Sequence, residues 1–344
     1  MSRASIVCAG YMPLDIVRTA TGTVGRHAGG TAANVAAILA FLGWDAVLAG
    51  QAGDDLAGDE LVADLSSAGV DVGQITRALN AQTPRLVHEV RHDGHFYRYR
   101  CEVCGARFPR SRPLTLEGAQ ACFEAHPAPN VFLFDRANAA TLMLAERYAE
   151  AGSVVMFEPS VPANADLLGR AAAVAHVIKH SDDRSVGGLD DLGVKPRQNQ
   201  LRIVTHGAEG LELRVGAARG RRLPALATLT VDTGGAGDWT TAGFLATCVS
   251  HGELERNALD EALRFGQALA AVNCAVVGAR GLMGLTRSSA RRRGRRVLVE
   301  GGLTSPPRVP SLPAPREYDG TCLSCLMPTA AQLTLDSVVS ISAS

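Results

Sequence analysis

Asp238 closes the run Val231-Asp232-Thr233-Gly234-Gly235-Ala236-Gly237-Asp238, and an apolar stretch over residues 240–249 follows it. A carboxylate at the end of a glycine-rich turn that opens a buried helix suits phosphoryl transfer. Glycines let the backbone approach an anion closely, and the N–H groups of Ala236, Gly237 and Asp238, with the helix dipole behind them, could hold phosphate oxygens. The carboxylate could then take the proton of an attacking hydroxyl. The plain alternative is a structural turn whose Asp caps the helix. Residues 225–231 read as the strand that leads into this turn.

A second glycine cluster lies near the N-terminus. It runs His27-Ala28-Gly29-Gly30-Thr31-Ala32-Ala33-Asn34, followed by Leu42-Gly43 and then by Gly50, Gly53-Asp54-Asp55 and Gly58. With Asp232-Thr233-x-Gly235-Ala236-Gly237-Asp238 and Ala242-Gly243-Phe244, it resembles the two signatures of ribokinase-like, or PfkB-type, carbohydrate kinases. Both stand in the family's order, over roughly residues 5–285.

The resemblance implies an α/β fold, a doubly wound and mostly parallel central sheet with helices on both faces and a small β lid. It also implies ATP and Mg2+ as cofactors. Asp238 would be the catalytic base beside an anion-binding turn of Gly235, Ala236 and Gly237. Asp15 occupies the position of a substrate-binding aspartate, and Gly29, Gly30 and Asn34 match the sugar-contacting motif. For the nucleotide, Thr205, Gly207 and Gly210 resemble a strand-end turn against ribose and phosphates, and Asn273 begins a segment resembling the adenine pocket. Read from the residues alone, Asp15 could be an ordinary loop carboxylate, Asn34 a helix cap and the 205–210 segment a simple turn.

Elements able to position these groups are legible. With 344 residues, 47% of them hydrophobic and 20% charged, the chain can bury a sizeable core. Strands are expected at residues 4–9, 46–49, 131–134, 153–157, 176–179 and 202–205, and helices at 32–42, 59–68 and 263–272. Their alternation predicts a parallel sheet covered on both faces. Residues 85–92 and 95–100 flank Asp93-Gly94, a hairpin signal that breaks the alternation. Under the resemblance, these strands and residues 11–25 form the lid over the sugar site, which closes to exclude water. The same lid could pair two copies as a homodimer.

Two departures from the family pattern stand out. Ser181-Asp182-Asp183-Arg184 stands where members carry Asn-x-x-Glu or Ser-Asp-Glu-Glu near Mg2+; Arg184 replaces the second acidic residue, which leaves metal organisation there open, although Asp183 could substitute. Gly234 stands where many members have Thr.

Four of the eight cysteines form two CxxC pairs, Cys101/Cys104 and Cys322/Cys325. Four thiolates suit a structural zinc ion, although the pairs lie far apart in sequence. Reduced surface thiols, or a disulfide within either pair, are the alternatives. Cys8, Cys122, Cys248 and Cys274 sit among apolar residues and read as core.

The chain therefore divides into a kinase domain, residues 1–285, and a tail, residues 286–344. The tail holds a basic run, a proline-rich stretch and the second CxxC, and reads as a solvated linker. Net charge is +0, so no global electrostatic pull toward nucleic acid or an anionic membrane exists. No stretch has the length of a signal peptide core or a spanning helix, and a cytoplasmic location is expected. The expected activity is ATP-dependent phosphorylation of a sugar or sugar-like hydroxyl. A nucleoside kinase of the same fold, or a non-catalytic sugar-binding regulator, are the alternatives.

Overall fold

A computed structural model describes residues 3–92, 94–109, 112–160, 164–182, 195–250, 253–310, 322 and 325–326. Thirteen of its strands and eight helices are labelled here in chain order. The central strands are β1 (Ser5–Ala9), β4 (Asp45–Gly53), β5 (Ile75–Ala78), β8 (Val131–Phe134), β9 (Val154–Phe157), β10 (Val177–Ser181), β11 (Leu201–Thr205), β12 (Leu211–Val215) and β13 (Arg221–Leu223). They lie in the order β13-β12-β11-β10-β9-β8-β1-β4-β5, with every neighbouring pair parallel except β11–β12 and β12–β13.

Alternation along β1 explains the two layers. Ile6 and Cys8 face one apolar core and Val7 and Ala9 the other, so the strand is hydrophobic throughout. The first core packs against α1 (Thr31–Leu42), α2 (Leu56–Ser67), α6 (Ala236–Cys248), α7 (Leu259–Asn273) and α8 (Arg287–Glu300). The second is covered by α3 (Leu116–Ala125), α4 (Ala139–Glu150) and α5 (Ala165–Val174).

The lid is a separate four-stranded sheet in the order β3-β2-β6-β7, built from β2 (Leu14–Thr19), β3 (Gly22–Ala28), β6 (Arg85–Arg91) and β7 (Gly94–Arg98). The hairpin expected at residues 85–100 is its β6–β7 pair, antiparallel in register Val90↔His95.

Two expectations fail. Residues 225–231 form no strand; Ala227 alone bridges to Gly302, and the stretch runs extended between β13 and α6. Its hydrogen bonds go to the end of α7 and the start of the tail instead: the Thr228 hydroxyl donates to Ala271 O at 2.5 Å, Val231 N to Cys274 O, and Leu303 N to Ala227 O. The basic run is no solvated linker but helix α8. Thr286 caps it by accepting from Ser289 N, and Ala290, Gly294 and Val297 bury one face at helical spacing. A Cβ at Gly294 would lie 2.9 Å from Leu269 Cδ2, so α8 sits tightly on α7. The arginines occupy the remaining faces, and Arg291 donates to Leu42 O. Asp183, Arg184 and residues 311–315 of the proline-rich stretch lie outside the described residues. Among the described residues, no helix is long and apolar enough to cross a membrane.

Candidate active site

Parallel strands bring their carboxyl ends to one edge, and ligands of such sheets sit there. Here Tyr11 after β1, Asp135 after β8, Glu158 after β9, Lys179 and Ser181 of β10 and Thr205 of β11 line a cavity of about 260 Å3. The lid contributes Asp15, His88, His95, Tyr97 and Tyr99, and the opposite wall is Thr233 through Asp238. A second cavity of about 230 Å3 shares Asp15, Asn34, His88 and Ala279 with the first.

Asp238 lies in the first turn of α6, four residues earlier than the apolar periodicity suggested, and is buried. Asn34 reaches across from α1 and donates from Nδ2 to Asp238 Oδ2 at 2.8 Å. A carboxylate only accepts, so this contact fixes the amide orientation and turns Asn34 Oδ1 away from it. That oxygen and Asp15 Oδ1 are both buried without a hydrogen-bond donor among the described residues. Gly29 makes room for Asp15, since a Cβ there would stand 2.0 Å from its carboxyl carbon. Burial pushes the Asp15 carboxyl up to about 7, against the pull of His88 and Arg280.

The turn itself is held by Asp232. Its Oδ1 accepts from Gly234 N and its Oδ2 from Gly278 N, both at 2.8 Å, and His88 Nε2 stands 3.2 Å from Oδ1. Burial raises the Asp232 carboxyl, but His88 and the two N–H groups more than offset it and hold it below the ordinary range. His88 shows the converse: burial pulls it down, yet Asp232 and Asp15 keep it above its usual value. This pair accounts for Gly234 in place of Thr, because a Cβ at Gly234 would lie 2.4 Å from His88 Cε1. Gly235 caps α6 in the left-handed region at φ 76.

Of the three N–H groups expected to face an anion, Ala236 N is turned to Thr233 O at 3.2 Å, closing the turn. Lys179 Nζ comes within 3.5 Å of where a Gly237 Cβ would be, so an ammonium flanks the turn. It pairs with Glu158 Oε2 at 2.7 Å in a buried contact, and the Thr241 hydroxyl donates to Glu158 Oε1.

Asp15, Gly30, Asn34, Thr205, Gly235, Ala236, Gly237 and Asp238 thus line one cavity. Gly29 supports Asp15 from behind. Asn273 does not reach the cavity: fully buried, it donates to Gly234 O and Gly278 O and accepts from Leu282 N. It braces the two segments that Asp232 joins. Gly207 and Gly210 lie at the turn after β11, outside the walls of the cavity. Sequence reasoning missed Glu158, Lys179, Asp135 and His88. The available signal was a charged residue breaking or ending an apolar parallel strand, as Lys179 does in Val177–Ser181.

The cysteine pairs meet on the far side of the lid, where their four sulfurs lie within 4.8 Å of one another. Cys8, Cys122, Cys248 and Cys274 are buried as expected.

Comparison with known proteins agrees with this fold. The model of the pfkB family carbohydrate kinases matches residues 3–283. An ATP-dependent ribose-1-phosphate kinase of Halopiger xanaduensis is 32% identical over 261 residues, covering 74% of this chain and 83% of that protein. A fructokinase of Klebsiella pneumoniae is 28% identical over 258 residues, 70% and 82% of the two chains. Among solved structures, aminoimidazole riboside kinase of Salmonella enterica with aminoimidazole riboside and an ATP analogue superposes with a TM-score of 0.66 at 24% identity, covering 84% and 99%. Fructokinase of Xylella fastidiosa with bound ATP gives 0.66 at 21% identity, covering 87% and 99%. With the ribokinase-like sheet and both signatures in place, the chain belongs to the pfkB family of carbohydrate kinases.

Proposed function

We propose that this kinase transfers a phosphoryl group from ATP to a hydroxyl of a sugar or sugar-like small molecule, with Asp238 as the general base. The observation that carries the reading is the pair of buried acceptors, Asp15 Oδ1 and Asn34 Oδ1, on the walls that also hold Asp238. Buried polar atoms are nearly always satisfied, so both call for donors supplied by a ligand. A polyol supplies hydroxyls of that kind. Seated on Asp15 and Asn34, it would present a further hydroxyl to Asp238.

In the step itself the hydroxyl oxygen forms a bond to the γ-phosphorus as the bond to the ADP oxygen breaks. Asp238 takes the hydroxyl proton, held in position by the Asn34 amide. The Gly237 N–H group, in the first turn of α6, and the Lys179 ammonium would supply positive charge where phosphate oxygens lie. Mg2+ takes hard oxygen donors, commonly through water, and Glu158 and Asp135 put two such carboxylates on the cavity wall. When bound with the nucleotide, the ion would neutralise charge on its phosphates.

The relatives named ribose-1-phosphate kinase and fructokinase make pentoses, their phosphates and ketohexoses the first candidates. A nucleoside is the second reading. It rests on the lid wall, where His88, His95 and Tyr97 cluster with ring centroids 5.1 to 5.3 Å apart, beside Tyr99 and Tyr11. Flat rings of this kind can stack on a base.

ADP formation with MgATP across ketoses, aldoses, sugar phosphates and nucleosides separates the readings. Turnover confined to sugars supports the first, and turnover confined to nucleosides the second. Ligand binding without ADP across the whole panel would overturn both in favour of a sensor.

A further inference from the structure

Cys101, Cys104, Cys322 and Cys325 converge although 221 positions separate the facing partners of the two pairs. Cys101 Sγ lies 3.9 Å from Cys322 Sγ, and Cys104 Sγ lies 3.6 Å from Cys325 Sγ. Four sulfurs around a tetrahedral zinc at about 2.3 Å stand roughly 3.8 Å apart, from the geometry of the tetrahedron. The observed spacings bracket that value, and both exceed the S–S length of a disulfide. We propose that Cys101, Cys104, Cys322 and Cys325 bind one zinc ion that fastens the C-terminal segment to the back of the lid.

The surroundings are those of a structural site. Each pair sits in a turn closed by backbone hydrogen bonds, Gly105 N to Cys101 O and Leu326 N to Cys322 O. Ile16, Val87 and Phe108 pack around Cys101, Cys322 and Cys325, giving the ion an apolar shell. On binding, the four thiols release their protons to solvent and no atom changes oxidation state. The resulting cluster carries two negative charges, and a guanidinium stands at each turn: Arg100 donates to Gly105 O and Arg85 to Leu326 O. Four protein ligands leave no open coordination position, so the ion holds structure and does not act on substrate.

Its place in the fold gives it a role. Successive residues of a strand point to opposite faces. On β2, Ile16 meets the cysteine cluster while its neighbour Asp15 lines the cavity, and on β6 Val87 and His88 divide in the same way. A four-stranded sheet with an apolar reverse face needs a cover, and the clamp puts Cys322 and Cys325 against it. Arg85 extends the tie, since it also pairs with Asp55 at the cap of α2. The clamp thereby braces the sheet that carries Asp15 and His88.

The test is metal content and thiol reactivity of the purified full-length protein. The expected result is one zinc per chain, equally present in Asp238→Asn, released in full when a mercurial titrates the thiols, and nearly absent from Cys322→Ser. Exchange with Co2+ should give the intense visible and thiolate charge-transfer bands of a tetrahedral four-sulfur site. If Cys322→Ser does not fold, mercurial release and cobalt spectra on the unaltered chain still decide. Iron in place of zinc, a disulfide within either pair, or a metal-free protein with eight reactive thiols would each overturn the proposal.

Discussion

Replacing Asp15 by Asn should strengthen the fold while it weakens sugar binding, and the gain should depend on pH. Burial lifts the Asp15 carboxyl from 3.8 to about 7. Because the folded pKa lies above the unfolded one, the cost of ionising Asp15 in the fold is absent below about pH 4, grows as pH rises, and is complete above about pH 7. About three pKa units at 1.36 kcal/mol each set a ceiling of about 4 kcal/mol. Water entry and movement of the cavity walls lower that to about 2–3 kcal/mol. Asn keeps the size and neutrality of the protonated acid, so it removes this cost. Urea unfolding of the two proteins at about pH 4.5 and at about pH 8 measures it, with other titrating groups cancelling in the difference. The advantage of Asp15→Asn should be about 2 kcal/mol larger at the higher pH. An advantage that is equal at both, or larger at the lower pH, would refute the burial argument. Sugar KM should rise in the same variant, because an acceptor that meets no protein donor would have lost its charge.

Further consequences follow from the walls of the cavity. Gly234→Thr should lose most activity, since its Cβ would fall 2.4 Å from His88 Cε1. Adding His88→Ala should recover a measurable part, and failure of that rescue in kcat and thermal melting would show that another contact excludes the side chain. Lys179→Met should leave Glu158 buried without its partner and cost about 3–5 kcal/mol of stability by urea unfolding. Lys179→Met should also raise the KM for ATP, and unchanged values for both would remove Lys179 from the anion site.

The residues that sequence reasoning located are those whose type has few other uses. Glycines in a run and an Asp closing it carry their own geometry and pointed to Asp238, whereas Asn34 and Asp15 came from the family resemblance; all three line one cavity. Glu158, Lys179 and Asp135 were hidden because their positions follow from strand order, which brings five separate strand ends together. The brace that Asn273 makes was hidden for a related reason. An amide beside a nucleotide segment and an amide bracing that segment read alike until its partners, Gly234 O and Gly278 O, are seen. Helix α8 was obscured by charge, since its arginines outnumber the three small or apolar residues that bury its face. Residues 225–231 carried the composition of a strand, yet their backbone bonds run to Cys274 O and Leu303 N and not to the sheet.

The account turns on Asp238 as a base held by Asn34, and turnover of Asp238→Asn with its best substrate and MgATP tests that most directly. The variant should lose roughly 100- to 10,000-fold in kcat, while nucleotide and sugar still bind within a few-fold of their original affinity. Full activity in Asp238→Asn would contradict the assignment of Asp238 as the base.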